Sequence, residues 1–208
     1  MKISLINKIK GFTLVETFVV VFIFSIIMLG TTAMIRNIFL TSTQQALALD
    51  SVDQARIVLT NFANEVRNAA NANNGAYPLN RADDSELIFF STYGASGSNI
   101  NRIHYYLSNN NLYKGVIIPT GSPATYNLSS ESSIQVLKNI SATGPLFSYY
   151  DESYAGTSTP LTQPININQI NFVQINLTIF KQDVRNSTST FSLSVGATLR
   201  NLKTNLAN

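Results

Sequence analysis

The chain has 208 residues, of which 45% are hydrophobic and only 12% are charged, and it contains no cysteine. A typical soluble domain carries about 25% charged residues, so this composition predicts a long apolar segment and a weakly charged surface. The length fits one folded domain with a short additional segment. The absence of cysteine excludes disulfide bonds, thiol catalysis and a thiolate zinc site.

The formal net charge of +3 originates at the N-terminus. Three of the 14 basic residues, Lys2, Lys8 and Lys10, precede Gly11, and the rest of the chain has 11 basic and 11 acidic residues. A balanced charge provides no broad basic surface for the phosphates of nucleic acid. We therefore do not expect nucleic acid as a partner.

Residues 12–35 form an apolar segment in which Glu16 is the only charged residue. The uncharged part, residues 17–35, spans about 28 Å as an α-helix, close to the thickness of the hydrocarbon core of a bilayer. Only a helix satisfies its own backbone in lipid, so the β-branched residues here do not argue for a strand. Because basic residues stay on the cytoplasmic side, we expect a single-pass inner-membrane protein whose C-terminal domain lies outside the cytoplasm.

The small residue Gly11 precedes the apolar segment, whereas an ordinary signal peptide is cleaved after its apolar core. Residues 10–16 read Lys-Gly-Phe-Thr-Leu-Val-Glu. This stretch resembles the class III leader of type IV pilins and type II secretion pseudopilins. The resemblance implies that residues 1–11 are a leader, that prepilin peptidase cleaves between Gly11 and Phe12, and that Phe12 is then N-methylated.

Glu16 matches the acid at the fifth position of mature subunits in that family. An isolated carboxylate in the apolar core of a membrane costs on the order of a few kcal/mol, so it needs a partner. Cleavage creates one, the free amine of Phe12, and the family uses this pairing between neighbouring subunits to set their stagger in a filament. The alternative is an ordinary signal anchor whose acid lies near the membrane surface.

The helical pattern continues after residue 35, and no proline or glycine interrupts residues 31–74. Apolar residues recur at helical spacing at Val52, Ala55, Leu59, Phe62, Val66 and Ala69. Arg56, Asn64, Glu65 and Arg67 mostly fall on other faces. We predict one helix over about residues 12–72, with a transmembrane and assembly part at 12–35 and an amphipathic continuation at 36–74.

The remaining segment, residues 75–208, predicts a β-rich domain. Candidate strands with a period of two lie at 86–90, 102–107, 111–118, 133–140 and 146–150, and the strongest pair lies at 173–179 and 191–199. Ser108-Asn109-Asn110 predicts a hairpin turn between two of them. The fold class is therefore α+β: a long N-terminal helix packs on a mostly antiparallel sheet, as in pilins.

A second resemblance concerns the strands. Arg-Ile-His-Tyr-Tyr-Leu at 102–107, Leu-Phe-Ser-Tyr-Tyr-Asp at 146–151 and a final strand pair ending Leu-Arg-Asn at 199–201 look similar to J-type minor pseudopilins and W-type minor pilins. This resemblance implies a minor structural subunit that initiates or caps a type IV pilus or a type II secretion pseudopilus. Its partners would be other pilin or pseudopilin subunits, an inner-membrane assembly platform with its ATPase, and lipid before assembly.

Three alternatives remain open: a major pilin, a membrane-anchored tip module for DNA uptake or adhesion, and an anchored enzyme. His104 is the only histidine, and we expect it to face solvent or form hydrogen bonds in its strand. Acidic clusters occur at Asp83, Asp84 and Glu86 and at Asp151 and Glu152. Without EF-hand spacing they favour solvated acids over a calcium site. No catalytic motif is present, so we predict no enzyme and no cofactor.

Overall fold

The computed structural model describes residues 11–141, 143–182 and 188–199. It confirms the α+β class, with a long N-terminal helix followed by antiparallel strands. The chain divides into two compact units, residues 1–47 and 48–208. Helix α1 (Leu14–Arg67) contributes residues to both units. The three leader lysines lie outside the described residues.

Helix α1 ends at Arg67, five residues before the predicted end. The reason is tertiary, because the next residues bond to strand backbone instead of continuing the helix. Ala70 N–H donates to the carbonyl of Phe90 at 3.0 Å, and Thr92 N–H donates to the carbonyl of Asn68 at 3.1 Å. These bonds satisfy backbone groups that a helix would otherwise pair internally.

The strands of the described part form two sheets, where the sequence predicted one. The first sheet has the order β1 (Leu79–Ala82), β2 (Glu86–Ser91), β3 (Asn101–Ser108), β4 (Asn111–Ile117) and β5 (Ser132–Leu137). The second has the order β6 (Phe147–Tyr150), β7 (Phe172–Gln182) and β8 (Thr188–Thr198). Every pairing is antiparallel. Two short 3-10 helices, Leu128–Ser130 and Ile167–Gln169, lie in the longer connections.

The predicted hairpin is the β3–β4 turn. Ser108 pairs with Asn111, which leaves Asn109 and Asn110 as a two-residue loop with φ values of 49° and 60°. Such loops need positive φ at both positions, and asparagine tolerates this conformation better than other non-glycine residues. Strand β1 escaped prediction because its burial does not alternate; only its two end residues are buried.

The core lies between the second half of α1 and the inner faces of both sheets. Phe62, fully buried on α1, connects them. Its ring centroid lies 5.4 Å from that of Tyr105 on β3 and 5.9 Å from that of Phe147 on β6. The alternation predicted for β7 places Val173, Ile175, Leu177 and Ile179 in this core. Phe62 therefore contacts both sheets from the buried face of the helix.

Candidate functional site

The N-terminus of α1 is set by Thr13. Residues 11–13 are not helical, and the Thr13 hydroxyl accepts a hydrogen bond from the Glu16 N–H at 3.3 Å. The Thr13 carbonyl accepts from the Thr17 N–H at 3.2 Å, which closes the first helical turn. Thr13 is therefore the N-cap, and Glu16 occupies the third helical position, where acids favour the positive end of the helix dipole.

Glu16 is exposed on an apolar surface. Phe12 is 73% exposed, and Leu14, Val15 and Phe18 have similar exposures. Among the described residues, no basic side chain pairs with the Glu16 carboxylate. Gly11 and Phe12 precede the helix and are exposed, so the predicted cleavage bond is accessible in the described part of the chain.

The surface around this site is suited to lipid or to other helices. Residues Leu14–Thr43 form a helical stretch that is long and apolar enough to cross a membrane, and its apolar window has no buried residue. Hydroxyl groups within it bond to the helix itself: Ser25 Oγ donates to the Val21 carbonyl at 2.8 Å, and Thr32 Oγ1 donates to the Met28 carbonyl at 2.7 Å. These two hydroxyls therefore need no water.

His104 makes polar contacts with two carboxylates, in agreement with the expectation that it forms hydrogen bonds rather than facing solvent. Its Nδ1 lies 2.8 Å from Glu131 Oε1, and its Nε2 lies 2.9 Å from Glu86 Oε1. Glu86 was assigned both to an acidic cluster and to the start of a candidate strand; it begins β2, as the strand prediction proposed, and it pairs with Arg81 at 3.0 Å. A carboxylate that contacts both Arg81 and His104 is not a free solvated acid.

The other acidic cluster forms a local turn. Asp151 Oδ1 accepts from Ser153 N–H at 2.9 Å and from Ser153 Oγ at 2.6 Å. These bonds lower the pKa of Asp151 below its ordinary value. Within the described ranges, no group of three or more histidine, aspartate or glutamate residues is arranged to hold a metal ion. The expectation that these clusters are solvated acids rather than a calcium site stays a prediction.

The sequence placed Glu65 on a face of the helix away from the apolar residues. That prediction was wrong, because Glu65 is only 3% exposed. Lys114 on β4 forms an ion pair with its Oε1, and the Tyr105 hydroxyl donates to its Oε2 at 2.9 Å. Burial, together with the nearby Glu65 charge, raises the pKa of Tyr105 well above its ordinary value. The phenol therefore stays protonated and remains a donor to the carboxylate.

The pattern of β4 contains a signal for this ion pair. Lys114 lies two residues from Leu112 and from Val116, which contact the core, so the period of two places this cation on the core face of the strand. A buried lysine requires an anionic partner, and only the fold brings Glu65 to it.

One part of the chain matches a known protein family. Residues 6–32 match the family model of the prokaryotic N-terminal methylation motif. This match confirms the class III prepilin leader and supports the type IV pilin and pseudopilin family. No curated protein matches the chain. The similarity to J-type or W-type subunits stays a prediction.

Proposed function

We propose that this chain, a pilin-like or pseudopilin precursor by its leader, is a minor subunit that initiates or caps a type IV pilus or type II secretion pseudopilus. Such a leader implies processing by prepilin peptidase and assembly with other pilins. Cleavage after Gly11 would make Phe12 the N-methylated first residue. The family is a structural one, and the proposed role is physical rather than catalytic.

The observation that carries the proposal is the placement of Glu16. It is the only acid within residues 12–35 and lies in the first turn of an exposed apolar helix without a basic partner among the described residues. In lipid such a carboxylate is costly, by roughly 3 kcal/mol or more, unless a cation neutralises it. The amine of a neighbouring subunit's Phe12 would supply that cation and fix the register between subunits.

Assembly would replace lipid contacts with helix contacts. The exposed apolar side chains of residues 14–40 would pack against the same segment of neighbouring subunits. Because lipid and helix surfaces are similarly apolar, this exchange alone gives little preference for one register. A single charge pair would then decide the register, since each wrong stagger leaves two charges unpaired. We propose that the assembly platform and its ATPase drive the extraction, with residues 48–208 outside the cytoplasm.

The minor role is supported by the size of the β region. Eight described strands in two sheets follow the helix, and abundant major subunits of the family are often smaller. The balanced charge after Gly11 favours a structural subunit over a DNA-uptake module.

The experiment separates processing from assembly. The wild-type chain, Glu16→Gln and a control, Ser25→Ala, are produced in cells that contain the prepilin peptidase and the assembly machine. Intact mass should show loss of residues 1–11 and one added methyl group for all three. Glu16→Gln should remain in the membrane and be lost from sheared filaments, whereas Ser25→Ala should assemble normally because its hydroxyl serves only its own helix.

Two results would contradict the proposal. A mature mass that retains residues 1–11 would exclude processing at Gly11. Normal incorporation of Glu16→Gln would exclude the charge pair as the determinant of register. DNA binding by the full chain at physiological salt would favour a tip module instead.

A further inference from the structure

Arg36 is one of two charged side chains in the apolar stretch Leu14–Thr43 of α1, and Glu16 is the other. Arg36 is exposed, and it lies among exposed apolar side chains. Ile35 and Ile38, on either side of it, are 53% and 56% exposed. A guanidinium group in such surroundings needs an anion or water as its partner, because burying an unpaired charge in lipid is costly.

Arg36 has no anionic partner among the described residues. No carboxylate in the described part of the chain lies within ion-pair distance of its guanidinium group. The nearest acids along the helix are Asp50 and Glu16, which lie 14 and 20 residues away. These separations correspond to about 21 Å and about 30 Å along the helix axis, beyond the reach of an arginine side chain. A lipid or another molecule therefore has to supply the anion.

The stretch Leu14–Thr43 is longer than a bilayer requires, so its length alone does not fix its depth in the membrane. Its 30 residues span about 45 Å as a helix, whereas the hydrocarbon core of a bilayer is about 30 Å thick. Either residues 16–35 or residues 21–40 would fill that core. The second depth is accessible because Ile38 and Phe39 are apolar and exposed. Since a mismatch in length costs little, the positions of the charges decide between the two depths.

The two charges favour opposite depths. With residues 16–35 in the core, Arg36 lies at the outer boundary, next to the lipid head groups, and Glu16 is the innermost residue within the core. With residues 21–40 in the core, Arg36 would lie about 7 Å inside the hydrocarbon and Glu16 would reach the cytoplasmic water. Each charge is costly inside lipid, so Arg36 favours the first depth and Glu16 the second. A partner that holds Arg36 at the outer boundary would therefore keep Glu16 in the core.

We propose that Arg36 binds the phosphate groups of phospholipids in the outer leaflet of the inner membrane and thereby holds Glu16 inside the hydrocarbon core. The planar fork of N–H donors on a guanidinium group matches the oxygens of a phosphate, and hydrogen bonds between ionised groups are the strong ones. This role rests on the membrane anchoring that the proposed function requires. Because Glu16 then has no access to water, its carboxylate keeps its need for a cation until assembly.

The first test measures depth in the full-length protein, reconstituted in vesicles of phosphatidylethanolamine and phosphatidylglycerol. The chain contains no cysteine, so a single introduced thiol reports its own position. Ile38→Cys lies just outside the core at the proposed depth and just inside it at the alternative depth. Its rate of reaction with a membrane-impermeant maleimide therefore distinguishes the two, because little thiolate forms in hydrocarbon. Molecules inserted in the opposite orientation do not react, so rates rather than yields are compared.

Ile38→Cys should react fast with Arg36 present, and Arg36→Leu should lower its rate by about tenfold or more, because the thiol then enters the hydrocarbon. Arg36→Lys should keep the fast reaction, since an ammonium group also binds phosphate. The matched control is Arg56→Gln, at an exposed arginine beyond the apolar stretch, and it should not change the rate. An unchanged rate in Arg36→Leu would overturn the proposal.

The second test detects the phosphate directly. In the same vesicles, the guanidinium carbon of ¹³C-labelled arginine should lose solid-state NMR signal through dipolar coupling to lipid ³¹P, and this loss should disappear in Arg36→Lys. If no such loss belongs to Arg36, its partner is water or a carboxylate of another subunit, and the proposal is overturned. Phe24→Cys, at the centre of the span, should react slowly throughout. Fast reaction there would contradict the membrane anchoring of the proposed function, whereas slow reaction there with a depth independent of Arg36 contradicts the phosphate contact alone.

Discussion

The ion pair between Glu65 on α1 and Lys114 on β4 gives a sharp test of how the helix is held on the first sheet. Glu65 is almost fully buried and has two side-chain partners, Lys114 and the Tyr105 hydroxyl. Lys114→Met keeps an unbranched side chain of similar length and removes the cation. The variant leaves a buried carboxylate with one neutral donor, which is the costly arrangement.

The expected loss follows from the burial of the two partners. Removing one member of a buried ion pair costs about 3–5 kcal/mol, because the other charge is left without compensation. Lys114 retains 19% exposure of its side chain, so the pair keeps some contact with water. We therefore expect the lower end, about 3 kcal/mol, which corresponds to a fall in Tm of roughly 6–12 °C for a unit of this size.

Urea unfolding followed by tyrosine fluorescence measures this loss, since the chain has nine tyrosines and no tryptophan. The double variant Glu65→Leu with Lys114→Met should recover most of the stability, because an apolar pair replaces the buried charges. Lys138→Met, at an exposed lysine, is the control and should change the free energy of unfolding by less than about 0.5 kcal/mol. A loss below that value for Lys114→Met, or a double variant that loses the sum of both singles, would refute the reasoning.

Three further predictions use the same unfolding assay. Phe62→Ala removes the fully buried ring between the sheets and should cost about 3–5 kcal/mol, whereas Ile57→Ala, at a position 62% exposed, should cost less than about 0.5 kcal/mol. Burial raises the pKa of Glu131, but hydrogen bonds, first that from His104, outweigh burial and hold the pKa below its ordinary value. Its stabilisation is therefore present above the ordinary carboxyl pKa and lost as pH falls, so the stability deficit of Glu131→Gln at pH 6 should shrink as the pH is lowered below the ordinary carboxyl pKa. Burial raises the pKa of Tyr149, whose hydroxyl donates to a backbone carbonyl at 2.7 Å; Tyr149→Phe should cost about 1 kcal/mol, and an unchanged stability would contradict that bond.

The features that the sequence predicted are those whose signals are local. An apolar run without charges reads as a helix whatever lies beyond it, and α1 begins within two residues of the predicted start. The β3–β4 turn is local too, since consecutive asparagines at positive φ specify a two-residue loop. The family match likewise covers a continuous stretch, residues 6–32.

The features that escaped prediction depend on partners distant in the chain. Glu65 lies next to the apolar stripe of α1 and was assigned to its polar faces, because its partner Lys114 is 49 residues away. His104 carries no sequence signal for a carboxylate at each nitrogen, since Glu131 is 27 residues away. Helix α1 ends earlier than predicted because the residues after it form backbone hydrogen bonds to β2. Periodicity identifies which residues are apolar, but the pairing of charges requires the fold.

Two acids of α1, Glu65 and Glu16, differ in whether the chain itself provides a partner, and this difference supports the proposed assembly role. The domain neutralises the acid that it buries, since Glu65 meets Lys114 and the Tyr105 hydroxyl. Glu16 lies on the same helix among exposed apolar side chains, yet no described residue provides it with a cation. A carboxylate that must enter lipid or a helical bundle gains by pairing on the order of a few kcal/mol. If the partner is the amine of a neighbour's Phe12, that free energy becomes available only after cleavage at Gly11 and only in the correct stagger. The same residue then couples processing to assembly, which is why Glu16→Gln should be processed normally and still fail to enter filaments.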